Sequence, residues 1–264
     1  MNKTVAVITG GSSGIGKCTA ISLRDRGCTV YELSRRDSDI GGIIHIKTDI
    51  TDSDSVSSAI SKIMEAENQI DILINNAGFG ISGAVEFTSE EDAFKIFNVN
   101  FFGLVRVTKE VIPHMRKAGR GRIVNISSVA AVAPIPFQTF YSATKSAINT
   151  YTMALANEVS DFGIKVCAVM PGDISSGFTD ARSKTDEGND VYNGRITRSV
   201  STMEKDEKNG MSCDVAGRII ANISLNKSKK PLYTIGIGYK VIVFLTKIFP
   251  SALLNKIIKI LYAK

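Results

Sequence analysis

The segment Thr9-Gly10-Gly11-Ser12-Ser13-Gly14-Ile15-Gly16 constrains this chain more than any other stretch of it. A short apolar run, residues 4–9, leads into it, and a helical pattern over residues 14–26 follows at once, ended by Gly27. Glycines at this density interrupt strand and helix alike. Between the two they let the backbone turn sharply and carry the N–H groups of a helix start up to an anion. A tight helix entry would explain glycines alone. Position adds weight: a strand before and a helix after, at the head of a βαβ series, is the setting in which such a loop cradles a pyrophosphate.

Such a series follows. Strand patterns at residues 29–34, 43–47, 71–75, 122–127, 164–170 and 232–235 alternate with helical patterns at 53–67, 99–117, 139–161 and 213–225. The early strands are continuously apolar rather than alternating, which predicts a parallel sheet covered on both faces. Right-handed crossovers then give an α/β, Rossmann-type doubly wound sheet with its ligand crevice at the strands' carboxyl ends. With 264 residues, 44% of them hydrophobic and 22% charged, the chain can bury a core of that size. No repeat or linker divides residues 1–264, so a single domain is expected. Residues 177–211 break the rhythm, being rich in Ser, Thr, Asp, Lys and Gly, and a loop that long is functional more often than not. Residues 238–264 read as two short apolar helices split by Pro250, a C-terminal helical extension.

Further motifs fall in a fixed order behind the glycine loop. They are Asp49-Ile50 after the third strand, Asn75-Asn76-Ala77-Gly78 after the fourth, Asn100 in the long helical stretch, then Ser128, Tyr141 and Lys145, and Pro171-Gly172 after the sixth strand. Together with Thr-Gly-x-x-x-Gly-x-Gly they make nearly the whole chain resemble the short-chain dehydrogenases/reductases. The resemblance implies a dinucleotide with its phosphates on Gly10, Ser12, Ser13, Gly14, Ile15 and Gly16. Asp49 and Ile50 would lie against the adenine, and Asn76, Ala77 and Gly78 on the adenine-ribose side. Pro171 and Gly172 would flank the nicotinamide, with Ile174 and Ser176 on its carboxamide. An acid at the tip of the second strand would chelate the ribose hydroxyls of NAD, whereas cations there accept the 2′-phosphate of NADP. The tip reads Leu33-Ser34-Arg35-Arg36, with Ser34 where the acid would stand and Glu32 two residues short of it. NADP(H) is therefore the expected cofactor, although Ser13 occupies a loop position where many NADP-binding members carry a base.

Tyr141 and Lys145 are four residues apart in a helical stretch and so share a face. Ser128 ends a strand at the edge where the crevice opens. A phenol titrates near ~10, too high for acid/base work at neutral pH, and a nearby cation lowers it. Lys145, with the positive ring of the oxidised cofactor, is expected to supply that cation, while Ser128 holds the substrate oxygen. By resemblance Lys145 also grips the nicotinamide ribose and Asn100 positions a proton-relaying water. Each of these residues has an ordinary structural explanation on its own; the joint pattern is what points to alcohol–ketone interconversion.

The net charge of +6 is unevenly placed: no acid follows Asp214, while Arg218 and eight lysines give residues 215–264 +9, leaving −3 for residues 1–214. A Lys- and Ile/Leu-rich end lacks the interleaved arginines and aromatics of a nucleic-acid groove, so no nucleic-acid partner is expected. The four cysteines have no CxxC pair or neighbouring histidine, so neither disulfide nor metal is expected, and the reading is reduced thiols in the cytoplasm. Met1-Asn2-Lys3-Thr4 leaves no room for a signal peptide before the first strand. By analogy 177–211 is a lid over the substrate and the tail shapes the far wall of its pocket. The tail loosely resembles those of hydroxysteroid and retinol dehydrogenases, implying a hydrophobic alicyclic substrate such as a steroid or an anionic bile acid. A 3-oxoacyl thioester reductase and a non-catalytic NADP-sensing module are the alternatives. A homodimer or homotetramer is expected. The apolar stripe Leu253, Leu254, Ile257, Ile258 and Leu261 is expected to be buried against the protein or a second subunit, with peripheral membrane contact the less favoured reading.

Overall fold

The computed structural model describes residues 3–263; Met1, Asn2 and the last of the eight tail lysines, Lys264, lie outside the described residues. Seven parallel strands form one sheet: β1 (Val5–Thr9), β2 (Thr29–Ser34), β3 (Ile44–Lys47), β4 (Ile72–Asn75), β5 (Gly121–Ile126), β6 (Ile164–Pro171) and β7 (Leu232–Ile235). Their order across the sheet is β7-β6-β5-β4-β1-β2-β3. The chain thus winds outward from β1 in one direction, then returns to start β4 on its other side. That reversal between β1 and β4 opens a crevice at the strands' carboxyl ends.

Central strands are buried on both faces, which is why they read as unbroken apolar runs. In β1, Val5 and Val7 join a core with Val56, Ile60 and Ile63 of α2 (Ser53–Glu67), Val107 and Val111 of α4 (Leu104–Ala118), and Leu155 of α5 (Thr139–Glu158). Ala6 and Ile8 of the same strand face Ala20 and Leu23 of α1 (Gly14–Arg24) and Ile220 and Ala221 of α8 (Cys213–Leu225). Inside this apolar frame a chain of amides ties the centre together. Asn75 Nδ2 donates to Thr108 Oγ1 and to Asn125 Oδ1, each at 2.9 Å, and Asn125 Nδ2 donates to Thr152 Oγ1 at 2.9 Å.

Three details differ from the sequence reading. The expected helix over 99–117 is α3 (Glu90–Phe97), a π-helical turn (Asn98–Gly103) and then α4, so the winding changes at Asn100. Such turns alter side-chain register and occur frequently at functional sites. Residues 177–211 are not a coil but carry α6 (Phe178–Ala181) and α7 (Arg195–Lys208). The latter was hard to see because it buries only Ile196, Ser199 and Met203 on an otherwise polar helix. The tail folds as α9 (Ile237–Ile248) and α10 (Ser251–Tyr262), but the stripe expected to be buried is not. No described residue of α10 is fully buried, and Leu253, Ile257 and Leu261 are 43%, 41% and 61% exposed. The helix leans on α7 across an open crevice rather than on the core. Among the described residues no helix is long and apolar enough to cross a membrane.

Candidate active site

The carboxyl ends of the strands open into one crevice of about 1220 Å³, beyond the ~1,000 Å³ upper range of ordinary ligand pockets. At one end lies the glycine loop. Gly10 has φ +65°, and a Cβ there would stand 2.9 Å from Ala77 Cα, so only glycine lets the loop and the Asn76–Gly78 segment approach this closely. Thr9 Oγ1 accepts from the backbone N–H groups of Asn76 (3.0 Å) and Ala77 (3.1 Å), fixing the two loops together. Ser13 precedes α1 in extended conformation, and its hydroxyl caps none of the helix's first-turn N–H groups. Those donors remain available to an anion, the arrangement a pyrophosphate requires. The residues present therefore fit a dinucleotide.

Of the residues expected to hold it, Gly10, Ser12, Ser13, Gly14, Ile15, Ser34, Arg35, Arg36, Asp49, Ile50, Asn76, Ala77, Gly78, Pro171, Gly172, Ile174 and Ser176 all line the crevice. Gly16 does not. It is buried behind the loop, where a Cβ would meet Gly10 O at 2.3 Å and Asn76 Nδ2 at 2.4 Å, so its role is close packing. At the tip of β2 the acid is withdrawn: Glu32 is fully buried, bonded to His45 Nδ1 and accepting from Ser34 Oγ at 3.0 Å. Arg36 Nη2 reaches Ser13 Oγ at 3.3 Å. Burial alone would raise the Asp49 carboxyl. Hydrogen bonds from Thr51 and the charges of Arg35 and Arg106 outweigh burial and hold it below the usual range.

Ser128, Tyr141 and Lys145 meet at the crevice's centre. Tyr141 sits in the first turn of α5, and the Ser128 hydroxyl, which accepts from Ala130 N at 3.1 Å, lines the crevice with it. Lys145 is 5% exposed; its Nζ donates to Ile126 O at 2.8 Å and lies 5.6 Å from the centre of the Tyr141 ring. Burial pushes the phenol up to about 12, against the smaller lowering influence of Ser128 and Arg182, and pushes the Lys145 ammonium down to about 8. At Tyr141 desolvation outweighs the nearby protein charges. Asn100 is absent from the crevice lining. Its Oδ1 accepts from Phe79 N (3.0 Å) while Nδ2 donates to Phe79 O (2.9 Å) and Thr144 Oγ1 (3.3 Å), so the π-helical turn braces the loop after β4 against the tyrosine helix.

The far side of the crevice holds groups that spacing alone did not flag. Phe178 of α6 stands 5.6 Å from the Tyr141 ring, and Arg182 stacks on Phe178 at 5.7 Å. Glu207 of α7 pairs with Arg182 and accepts from Thr179 Oγ1. Tyr239 of α9 donates to Asp173, and its ring lies so close to Gly172 that a Cβ there would come within 2.1 Å. Beyond this polar cluster the wall is apolar, formed by Ile242, Leu245 and Phe249 with Leu254, Ile257 and Ile258. Of these residues only Leu254, Ile257 and Ile258 belong to a pattern visible in the sequence, the apolar stripe of the tail.

Comparison with known proteins agrees with the geometry. The profile described as short chain dehydrogenase matches residues 4–187. A 3-ketodihydrosphingosine reductase of Bacteroides thetaiotaomicron is 42% identical over 269 residues, covering 100% of this chain and 99% of that protein. A 3-oxoacyl acyl-carrier-protein reductase of Thermotoga maritima is 34% identical, covering 67% of this chain and 76% of the relative. Among solved structures, ElxO with NADP bound superposes with a TM-score of 0.76 at 27% identity, over 90% of this chain and 99% of that one.

Proposed function

Because the chain belongs to the short-chain dehydrogenase family and is an oxidoreductase, we propose that it reduces a ketone to a secondary alcohol with NADPH. The substrate proposed is a long-chain one of the 3-ketodihydrosphingosine kind. The observation that carries this reading is the apolar gallery of α9 and α10, which continues the crevice outward from Tyr141. An extended alkyl chain suits it better than the alicyclic body expected from the sequence. The full-length match to the Bacteroides relative includes these helices and supports the same choice.

When bound, the cofactor supplies the hydride. Its phosphates would rest on the glycine loop, with Arg35 and Arg36 beside the 2′-phosphate, while Glu32 is buried beneath the loop against His45 and does not reach the ribose from the crevice wall. Ser128 would hold the substrate carbonyl against Tyr141, whose phenol donates the proton that completes the alcohol. Lys145 holds its charge behind the ring, anchored to Ile126. Asp173 and Glu207 line the crevice beside these groups. Glu207 is already paired with Arg182 and Asp173 accepts from Tyr239, so the amine of the proposed head rests on the likeness to the Bacteroides relative.

A homologous series of 2-amino-3-ketones of increasing alkyl length, followed by NADPH oxidation, tests the reading. kcat/KM should climb about fourfold per methylene, the equivalent of ~0.8 kcal/mol each, until the gallery is filled. A flat series, or a preference for steroid ketones, would overturn it. A preference for acetoacetyl thioesters would instead favour the acyl-carrier-protein reductase reading that the Thermotoga relative supports.

A further inference from the structure

The outward side of the C-terminal helices is the least satisfied surface of the molecule. Of the 18 large apolar side chains exposed among the described residues, 10 lie between Ile237 and Leu261; four of these line the crevice, and Ile237, Val241, Phe244, Ile248, Leu253 and Ile260 do not. On α9 the residues Tyr239, Ile242 and Thr246 turn toward the crevice. Ile237, Val241, Phe244 and Ile248, spaced by four, three and four, form a separate stripe that is 84%, 53%, 60% and 58% exposed. None of those four lines the crevice. Lys240 and Lys247, both exposed, flank the stripe on the side away from it, and Lys256 and Lys259 are exposed on α10.

The charge around the stripe selects its occupant. The helices α9 and α10 carry Lys240, Lys247, Lys256 and Lys259 and no acid, so two copies of this chain meeting through the stripe would bring like charges together at an apolar contact. An anionic lipid surface accepts both features at once: the stripe enters the acyl boundary and the lysines meet headgroups. We propose that α9 and α10 dock this protein on anionic membranes, with the stripe of α9 immersed. The gallery formed by the inner faces of the same helices then opens at the bilayer surface, so a long-chain ketone can pass from the lipid to Tyr141 with its tail never fully exposed to water. This delivery role rests on the long-chain reading above, whereas the docking itself does not.

Flotation of the full chain with phosphatidylcholine vesicles, with and without phosphatidylglycerol, tests the proposal. Binding should be roughly tenfold or more stronger to the anionic vesicles and should weaken as salt is raised. Val241→Ser with Phe244→Ser should lower it by about tenfold or more, and Lys240→Gln with Lys247→Gln should reduce the preference for anionic lipid. None of the four side chains is buried, so melting temperatures should not move. In vesicles carrying a long-chain ketone the serine pair should slow reduction, while a short, water-soluble ketone is turned over at the wild-type rate. Absence of vesicle binding, binding indifferent to both pairs, or a wild-type oligomer that the serine pair dissociates would overturn the proposal; the last would assign the stripe to a second copy. A chain that binds anionic vesicles as described but reduces no long-chain ketone would refute the substrate reading and leave the docking surface standing.

Discussion

Replacing Lys145 with methionine separates the cost of burying an ammonium from its usefulness. The side chain is 5% exposed, and burial lowers its pKa from the ordinary 10.5 to about 8. Between those values the unfolded chain still holds a proton that the folded chain has released. Stability must therefore rise with pH across that window and lose this contribution as pH falls through 8. At about 1.4 kcal/mol per pH unit, the gap between 10.5 and about 8 is worth about 3 kcal/mol. Lys145→Met removes this titration, keeps most of the apolar stem, and leaves Ile126 O without its 2.8 Å donor at every pH. Urea unfolding of both proteins from pH 7 to pH 10.5 gives the difference in stability at each pH, in which other titrations cancel. The difference should move in favour of the wild type by an amount approaching 3 kcal/mol over the window. A difference that is constant with pH, or moves the other way, would refute a buried, charge-penalised lysine at this position. Turnover should be lost in the variant throughout.

Other consequences are equally direct. Tyr141→Phe keeps the ring against Phe178 but removes the proton donor, so turnover should fall by at least ~10²-fold with NADPH affinity, read by fluorescence titration, little changed. Arg35→Ala should raise the KM for NADPH by a factor equivalent to roughly 1–3 kcal/mol and leave NADH kinetics nearly unmoved; equal losses with both would show that Arg35 acts through the fold. Gly16→Ala places a methyl 2.3 Å from Gly10 O, so unfolding experiments should show a loss of about 1–3 kcal/mol together with weaker NADPH binding.

The parts of this molecule that could be read in advance are those where backbone chemistry limits the choice of residue. A loop that must turn sharply and admit phosphates needs glycine at Gly10, and strands covered on both faces need runs such as Val5–Thr9. Tyr141 and Lys145 stand out through the ordered motifs that carry the family resemblance, to which helical spacing adds that they share a face. What escaped was set by long-range packing. The burial of Glu32 against His45, and the π-helical turn that engages both ends of the Asn100 amide with Phe79 and Thr144, depend on residues distant in the sequence. The direction of the Tyr141 shift depended on how much water the crevice excludes, which no spacing reveals. The amphipathic stripe of α10 was seen correctly as a pattern, but a pattern does not say whether its partner is a core, a cavity or a lipid.

The central claim is that Tyr141 and a bound NADPH together reduce the ketone of a long-chain substrate. It is tested most directly by running the wild-type reaction with a long-chain 2-amino-3-ketone and NADPH deuterated at the transferring position of the nicotinamide. Mass spectrometry of the product should find one deuterium on the new carbinol carbon, with none when Tyr141→Phe replaces the wild type over the same interval. Alcohol formed without deuterium, or no alcohol formed from any long-chain ketone, would contradict the account.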